Sequence, residues 1–186
     1  MNITISVPAN RDRSRARDAQ DAIGYDLAAS SLGLVLAARS DRGLCAILLG
    51  DDADALIADL CRRFPQSRAV RDTAGLADWL AHVVRCVEHA QDDPGLPLDL
   101  RGTPFQRRVW QALRAIPRGA TASYGEIARR IGEPQASRAV AAACASNPLA
   151  LAIPCHRVVK GDGALSGYRW GVERKRALLE REAAVA

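Results

Sequence analysis

Cysteine, histidine and arginine stand side by side at Cys155, His156 and Arg157, behind Pro154 and an apolar run that begins at Leu149. A thiol attacks carbon as its thiolate, and a neighbouring base or positive charge makes that form accessible. His156 and Arg157 are the nearest such groups in sequence. Pro154 fixes its own φ and pushes the residue before it toward extended geometry. Cys155 is therefore expected at the abrupt end of a buried segment, with the His156 side chain diverging from it along extended backbone. The same residues fit a second description, a buried small hydrophobe beside a packed imidazole. A Cys-His pair alone leaves both open.

Few other groups have the type and placement to join this chemistry. In the terminal stretch VERKRALLEREAAVA, Glu182 follows Leu178 and Leu179 by four and three residues and shares their apolar face. Glu173, Lys175 and Arg176 are expected on the outer face. A glutamate on a buried face is costly unless paired, although a fraying terminal residue is the alternative. His82, Cys86 and His89 fall at i, i+4 and i+7 of one helix, with Cys61 upstream. That spacing matches no zinc motif, so no metal is expected.

The elements that must position these residues divide the chain in two. At 186 residues with 48% apolar types, it is long enough for one core or two small ones in contact. No apolar run approaches bilayer length and no hydrophobic signal core opens the chain, so a cytoplasmic protein with no membrane association is expected. An odd set of cysteines without regular spacing (Cys45, Cys61, Cys86, Cys144, Cys155) points to reduced thiols. Charge is uneven. Residues 1–100 carry 11 Arg against 15 Asp and Glu, and residues 101–186 carry 15 Lys and Arg against 6, so −4 and +9 make up the net +5. A basic half suits a polyanion, and ordinary solvated helix faces suit it as well.

Residues 1–21 are polar and arginine-rich and are expected to be disordered. Three strand-like runs between Ile23 and Gly50, broken at Ser30–Gly33 and Ser40–Gly43, predict a three-stranded antiparallel meander. Helices follow from Asp51 to before Pro65 and over 74–89. A turn at Asp92–Gly95 and an extended linker, PLDL, come next. Thr103-Pro104-Phe105-Gln106 spells a capping box for a helix with Phe105, Val109, Leu113 and Ile116 on one face, ended by Pro117. Ser123 caps a helix over 124–131, Gly132-Glu133-Pro134 turns the chain, and an alanine-rich helix over 135–146 closes at Asn147-Pro148. This is a helix-turn-helix layout. The predicted class is an α/β unit over 22–97 followed by a mostly α unit over 98–186.

The segments PLDLRGTPFQRRVWQALRAIPRG, SYGEIARRIG, SRAVAAACASNP, IPCHRVV and GDGALSGYRWGVERK, in that order, resemble the O6-alkylguanine-DNA alkyltransferases, whose active-site signature is Pro-Cys-His-Arg-Val. From about Gly24 onward the chain is similar to the C-terminal methyltransferase domain of bacterial Ada proteins. The resemblance implies irreversible transfer of an alkyl group from guanine O6 in DNA, with thymine O4 a second candidate, to Cys155. His156 would act through a bridging water, Glu182 would orient the imidazole and favour its protonated form, and Tyr124 would contact the extruded base and donate a proton. Asn147, Pro154 and Arg157 would shape the site. Val158, Ser166 and Tyr168, with Pro154, would line the base pocket. The helix bearing Gln135, Ser137 and Arg138 would enter the minor groove, Arg138 replacing the extruded nucleotide.

Implied partners are double-stranded DNA, bound without sequence specificity by a monomer; no cofactor or metal is implied. The implied folds are ribonuclease H-like for the first unit and winged-helix-like for the second. Ada's sensor region has no counterpart here, so repair without methylation-triggered transcription is expected. Two rivals remain at this level. One is a DNA-binding lesion sensor without chemistry, against which Cys155 itself speaks. The other is a thiol hydrolase, whose histidine would be distant in sequence.

Overall fold

The computed structural model describes residues 22–89 and 95–184. The disorder expected for 1–21, and most of the turn expected at 92–95, lie outside the described residues. Three strands, β1 (Ala22–Ser30), β2 (Gly33–Ser40) and β3 (Gly43–Gly50), form the expected antiparallel meander. Its turns sit where predicted, with Gly33 and Gly43 at φ of +93° and +141°. At Gly43 a Cβ would lie 2.3 Å from the Pro97 carbonyl oxygen, so the close approach of the linker demands glycine there.

The sheet is larger than the meander. After α1 (Ala53–Arg63), β4 (Arg68–Arg71) adds to β1 in parallel, giving the order β3-β2-β1-β4. Four mostly exposed residues carry too little pattern to be seen without their partner strand. Asp52 caps α1 by accepting from the Ala55 N–H at 2.7 Å. Next, α2 (Thr73–His89) packs Leu76, Leu80, Val83, Cys86 and Val87 inward. Among the described residues no His, Cys, Asp and Glu side chains gather as a metal site, and no helix is long and apolar enough to cross a membrane.

The free edge of β3 matters most for function. Residues 43–49 are all buried because two later segments cover that edge. The linker docks by Leu44 N–H to the Pro97 carbonyl (2.8 Å) and Asp99 N–H to the Leu44 carbonyl (2.7 Å). The stretch entering the Cys155 region docks by Ile47 N–H to the Pro148 carbonyl (2.9 Å) and Ala150 N–H to the Ile47 carbonyl (3.0 Å). Backbone pairing of this kind satisfies an edge that would otherwise template aggregation.

The remaining elements are α3 (Pro104–Arg114), β5 (Ala122–Ser123), α4 (Tyr124–Arg130), α5 (Ser137–Ala145), a 3₁₀ turn (Cys155–Arg157), β6 (Val158–Val159) and α6 (Val172–Ala184). The expected capping box of Thr103 with Gln106 is present, and Ser123 caps its helix as expected, with Glu126 completing a second box. Val109, Leu113 and Ile116 are buried, as is Trp110, whose indole N–H donates to the Ala143 carbonyl at 2.9 Å and locks α3 to α5. The helix predicted over 135–146 begins later. Gln135 lies in the preceding turn, and Ala136, without a side-chain cap, precedes the first helical residue Ser137.

Candidate active site

Three tethers fix Cys155. The docked segment 148–150 holds its approach from β3. Asn147 pins the turn: its side-chain N–H donates to the carbonyls of Ile153 (2.9 Å) and Leu149 (3.3 Å), and its Oδ1 accepts from the Leu149 N–H (2.8 Å). The same amide also reaches the Cys155 Sγ at 3.1 Å. Finally, β6 pairs in parallel with β5 (Ala122 with Val158, Ser123 with Val159), which sets Tyr124, the first residue of α4, beside the 3₁₀ turn. Extended backbone was expected at Cys155 and His156, but the two lie in a tight turn. The Cys155 N–H donates to the Ile153 carbonyl at 2.7 Å and the Arg157 N–H to the Pro154 carbonyl at 3.0 Å. Pro154 restrains its own φ and the residue before it; it permits a turn after itself.

Behind the turn lies a buried polar cluster. His156 Nε2 is 2.7 Å from Glu182 Oε1, and the Arg157 guanidinium donates to both Glu182 oxygens at 2.9–3.1 Å and to the Ile116 carbonyl at 2.6 Å. The Gly119 N–H adds a weaker bond to Oε2 at 3.3 Å. All three side chains are almost fully buried. Burial pushes the Glu182 carboxyl up, but hydrogen bonds and charge from His156 and Arg157 outweigh it and hold the pKa at about 2. Burial lowers the His156 imidazole, against the pull of Glu182. A neutral imidazole facing an ionised carboxylate carries its proton on Nε2, leaving Nδ1 as a lone-pair acceptor. His156 Nδ1 is buried with no hydrogen-bond partner among the described residues.

Cys155 forms the floor of a cleft of about 360 Å³ bounded by Tyr124, Ala141, Cys144, Ala145, Gly167, Tyr168 and Arg169. Burial raises its thiol to about 11, with the Asn147 hydrogen bond and the Lys175 charge working the other way. Desolvation therefore wins over the neighbouring charges, and at rest the thiol keeps its proton beside a neutral imidazole. Of the buried side-chain polar atoms without partners among the described residues, three of four belong here: His156 Nδ1, the Tyr168 hydroxyl and the Trp170 indole N–H. Native interiors leave few such groups, and functional sites are where they persist. The Tyr168 ring stands edge-on to both His156 and Trp170, at centroid distances of 6.5 and 5.1 Å.

The Tyr124 hydroxyl is 2.7 Å from Ser166 Oγ, which accepts from Lys175 Nζ at 3.0 Å; Nζ also donates to the Val158 carbonyl at 2.5 Å. Lys175 was expected outside and is fully buried. Its spacing held the signal: Lys175, Leu178 and Glu182 stand at i, i+3 and i+7, one face of α6. Burial lowers the lysine's affinity for its proton, while proximity to Cys155 and Cys144 raises it. Cys144 and Arg169 were also missed as neighbours of the nucleophile.

Three expected pocket residues lie elsewhere. Val158 is fully buried, offers its carbonyl to Lys175 and does not border the cleft. Pro154 borders a different depression, of about 470 Å³, with Gln111, Arg114, Leu151 and Ala152. Ser166 sits one layer back, holding Tyr124. Tyr168 and Tyr124 do line the cleft.

On α5 the side facing away from the core consists of Arg138, Ala139, Ala142 and Ala145, all exposed, while Val140, Ala143 and Cys144 are buried. Ala141 and Ala145 also border the cleft, so one small-residue helix joins an open surface to the nucleophile. Gln135, in the turn, is exposed, and Ser137 is half-buried.

A family model described as 6-O-methylguanine DNA methyltransferase, DNA binding domain, matches residues 104–184. The bifunctional transcriptional activator/DNA repair enzyme Ada of Escherichia coli is 53% identical over 162 residues, covering 87% of this chain and 46% of its own. The methylated-DNA–protein-cysteine methyltransferase of Mycobacterium tuberculosis is 61% identical over 85 residues, 46% of this chain and 52% of its own. This chain thus spans about half the length of the curated relatives it matches. Among solved structures, O6-methylguanine methyltransferase of Mycobacterium tuberculosis superposes with a TM-score of 0.69 at 36% identity, over 88% of this chain and 94% of that one. The same organism's OGT in complex with DNA gives 0.72 at 35% identity, over 89% and 94%.

Proposed function

The chain belongs to the O6-methylguanine-DNA methyltransferase family, and from that premise we propose that it repairs DNA by moving a methyl or larger alkyl group from guanine O6 to the Cys155 sulfur. The observation that carries this reading is the cleft floored by Cys155, with a neutral His156 oriented by Glu182 and its second nitrogen unpartnered. In the displacement the S–C bond forms as the C–O bond breaks. His156 Nδ1 takes the thiol proton through a bridging water, and Glu182 steadies the imidazolium that results. Because burial keeps the thiol protonated at rest, its proton leaves toward His156 as the S–C bond forms, so no free thiolate has to accumulate. Tyr124 gives a proton to the departing guanine, and Lys175 replaces it by way of the Ser166 hydroxyl. The product is a thioether, a poor leaving group, and no group near Cys155 reverses it. Each chain acts once, without a cofactor.

Residues 98–186 serve as the DNA-binding and alkyl-transfer unit, with winged-helix-like geometry, and residues 22–97 as its ribonuclease H-like support. The small face of α5 enters the minor groove of double-stranded DNA as a monomer. It reads shape and backbone more than base identity, since alanine offers no base-edge hydrogen bonds. Arg138, exposed at the helix start, fills the space of the extruded nucleotide. Alkylated thymine O4 is a second source of the group in the same chemistry, and the cytoplasm is the expected compartment.

Incubation with a duplex carrying O6-methylguanine, followed by intact mass, tests the reading. One added methyl, absent in Cys155→Ala, is the expected result. Repeated turnover of a thioester or peptide would favour a hydrolase instead. Replacing Arg138 with alanine slows repair of the duplex far more than reaction with the free alkylated base; equal loss on both would remove it from base extrusion.

A further inference from the structure

The cleft has two walls. One is α5, through Ala141, Cys144 and Ala145; the other is the loop bearing Gly167, Tyr168 and Arg169. The loop's glycines face open space: a Cβ at Gly161, Gly163 or Gly167 would meet nothing within 4 Å. Its firmest bonds to the N-terminal unit run from Arg169, whose Nη2 donates to both oxygens of Asp59 at 2.7 and 2.9 Å. Nη1 of the same guanidinium reaches the Ala145 carbonyl at 3.4 Å, on the opposite wall. Asp59 also accepts from Arg63 Nε at 3.1 Å, and Arg63 Nη1 grips the Ser146 carbonyl at the end of α5, at 3.2 Å.

One carboxylate on α1 therefore holds three guanidiniums: Arg62 and Arg63 of its own helix, the second of which ties to the end of α5, and Arg169 of the loop. Its side chain is 15% exposed, so water does not readily replace it. Without its charge, Arg63 and Arg169 face each other across a short gap and repel.

We propose that Asp59 is a positioning residue that sets the width of the cleft through Arg169, and thereby how large an alkyl group reaches Cys155. The inference rests on the alkyl-transfer reading above. Discrimination between substituents of different size by a pocket wall is typically worth one to two powers of ten.

The test compares transfer to Cys155 from free O6-methylguanine and free O6-benzylguanine. For Asp59→Asn and Asp59→Ala the benzyl-to-methyl rate ratio is expected to rise about tenfold. On an Arg169→Ala background, Asp59→Ala is expected to change the ratio no further, since residues acting through one contact are not additive. Simple destabilisation would lower both rates together and leave the ratio where it was. An unchanged ratio in folded Asp59→Asn, or full additivity in the double variant, overturns the proposal. If the wild-type protein takes label from neither base, the alkyl-transfer reading fails instead.

Discussion

Asp99 and Glu182 are both buried carboxylates held by arginine, one in each half of the molecule, yet they are built differently. Asp99 accepts from Ser40 (2.9 Å), Arg101 (2.7 Å) and Arg42 (3.3 Å), and its arginines run out to solvent, Arg42 with 66% of its side chain exposed. Burial raises its pKa, but Arg101 and Ser40 outweigh that, and the cluster fastens the linker to the β2–β3 turn. Glu182 meets a guanidinium and an imidazole that are themselves buried, 5% and 2% exposed. There the charge is enclosed, and one imidazole nitrogen is left without a partner. A buried ion pair is poor evidence for stability. The Glu182 group is an enclosed pair that leaves a buried imidazole nitrogen unused next to Cys155 in sequence, the arrangement the proposed proton transfer needs, whereas the Asp99 cluster is an attachment.

The contrast can be broken by substitution. Arg157→Met strands Glu182 beside one neutral imidazole and is expected to cost about 3–5 kcal/mol of folding stability, read from urea denaturation. A loss below 1 kcal/mol (about the worth of an exposed pair) would put Glu182 in the same class as a surface carboxylate. Glu182→Gln keeps the shape but removes the charge that steadies the imidazolium; single-turnover transfer is expected to slow roughly a hundredfold. The matched change, Asp99→Asn, is expected to cost about 1–2 kcal/mol and leave the transfer rate as it was. A rate defect there would erase the distinction between the two sites.

Acid sharpens the comparison further. The folded Glu182 carboxyl stands at about 2 against an ordinary 4.5, so the folded chain binds its proton less readily than the unfolded chain. Its contribution is complete above about pH 4.5 and is lost as pH falls toward 2. His156, held below its ordinary value, disfavours acid in the same sense. Denaturation midpoints of Glu182→Gln should fall less steeply than wild type through that window; parallel curves would mean that Glu182 is not depressed.

How much of this was legible in the sequence depends on how local each cause is. The capping box at Thr103 and the cap at Ser123 lie within four residues and were readable, as were the hairpin turns at Gly33 and Gly43. Glu182 could be placed on a buried face by helical periodicity, and the same spacing would have placed Lys175, whose charge argued misleadingly for solvent. The strand β4 depends on a partner more than forty positions away in the register Ala22 with Arg68 and had no pattern of its own. Nor could the Asp59–Arg169 contact be read, since it joins residues 110 positions apart. The thiol's resting state depends on burial against the Asn147 hydrogen bond and the Lys175 charge, a balance only packing decides.

Titrating the protein with duplex carrying a labelled methyl on guanine O6, then mapping the label by peptide mass, tests the central claim most directly. Label should plateau at one methyl per chain and reside wholly on Cys155. Continued uptake beyond that plateau, or label on any other residue of folded protein, would contradict it.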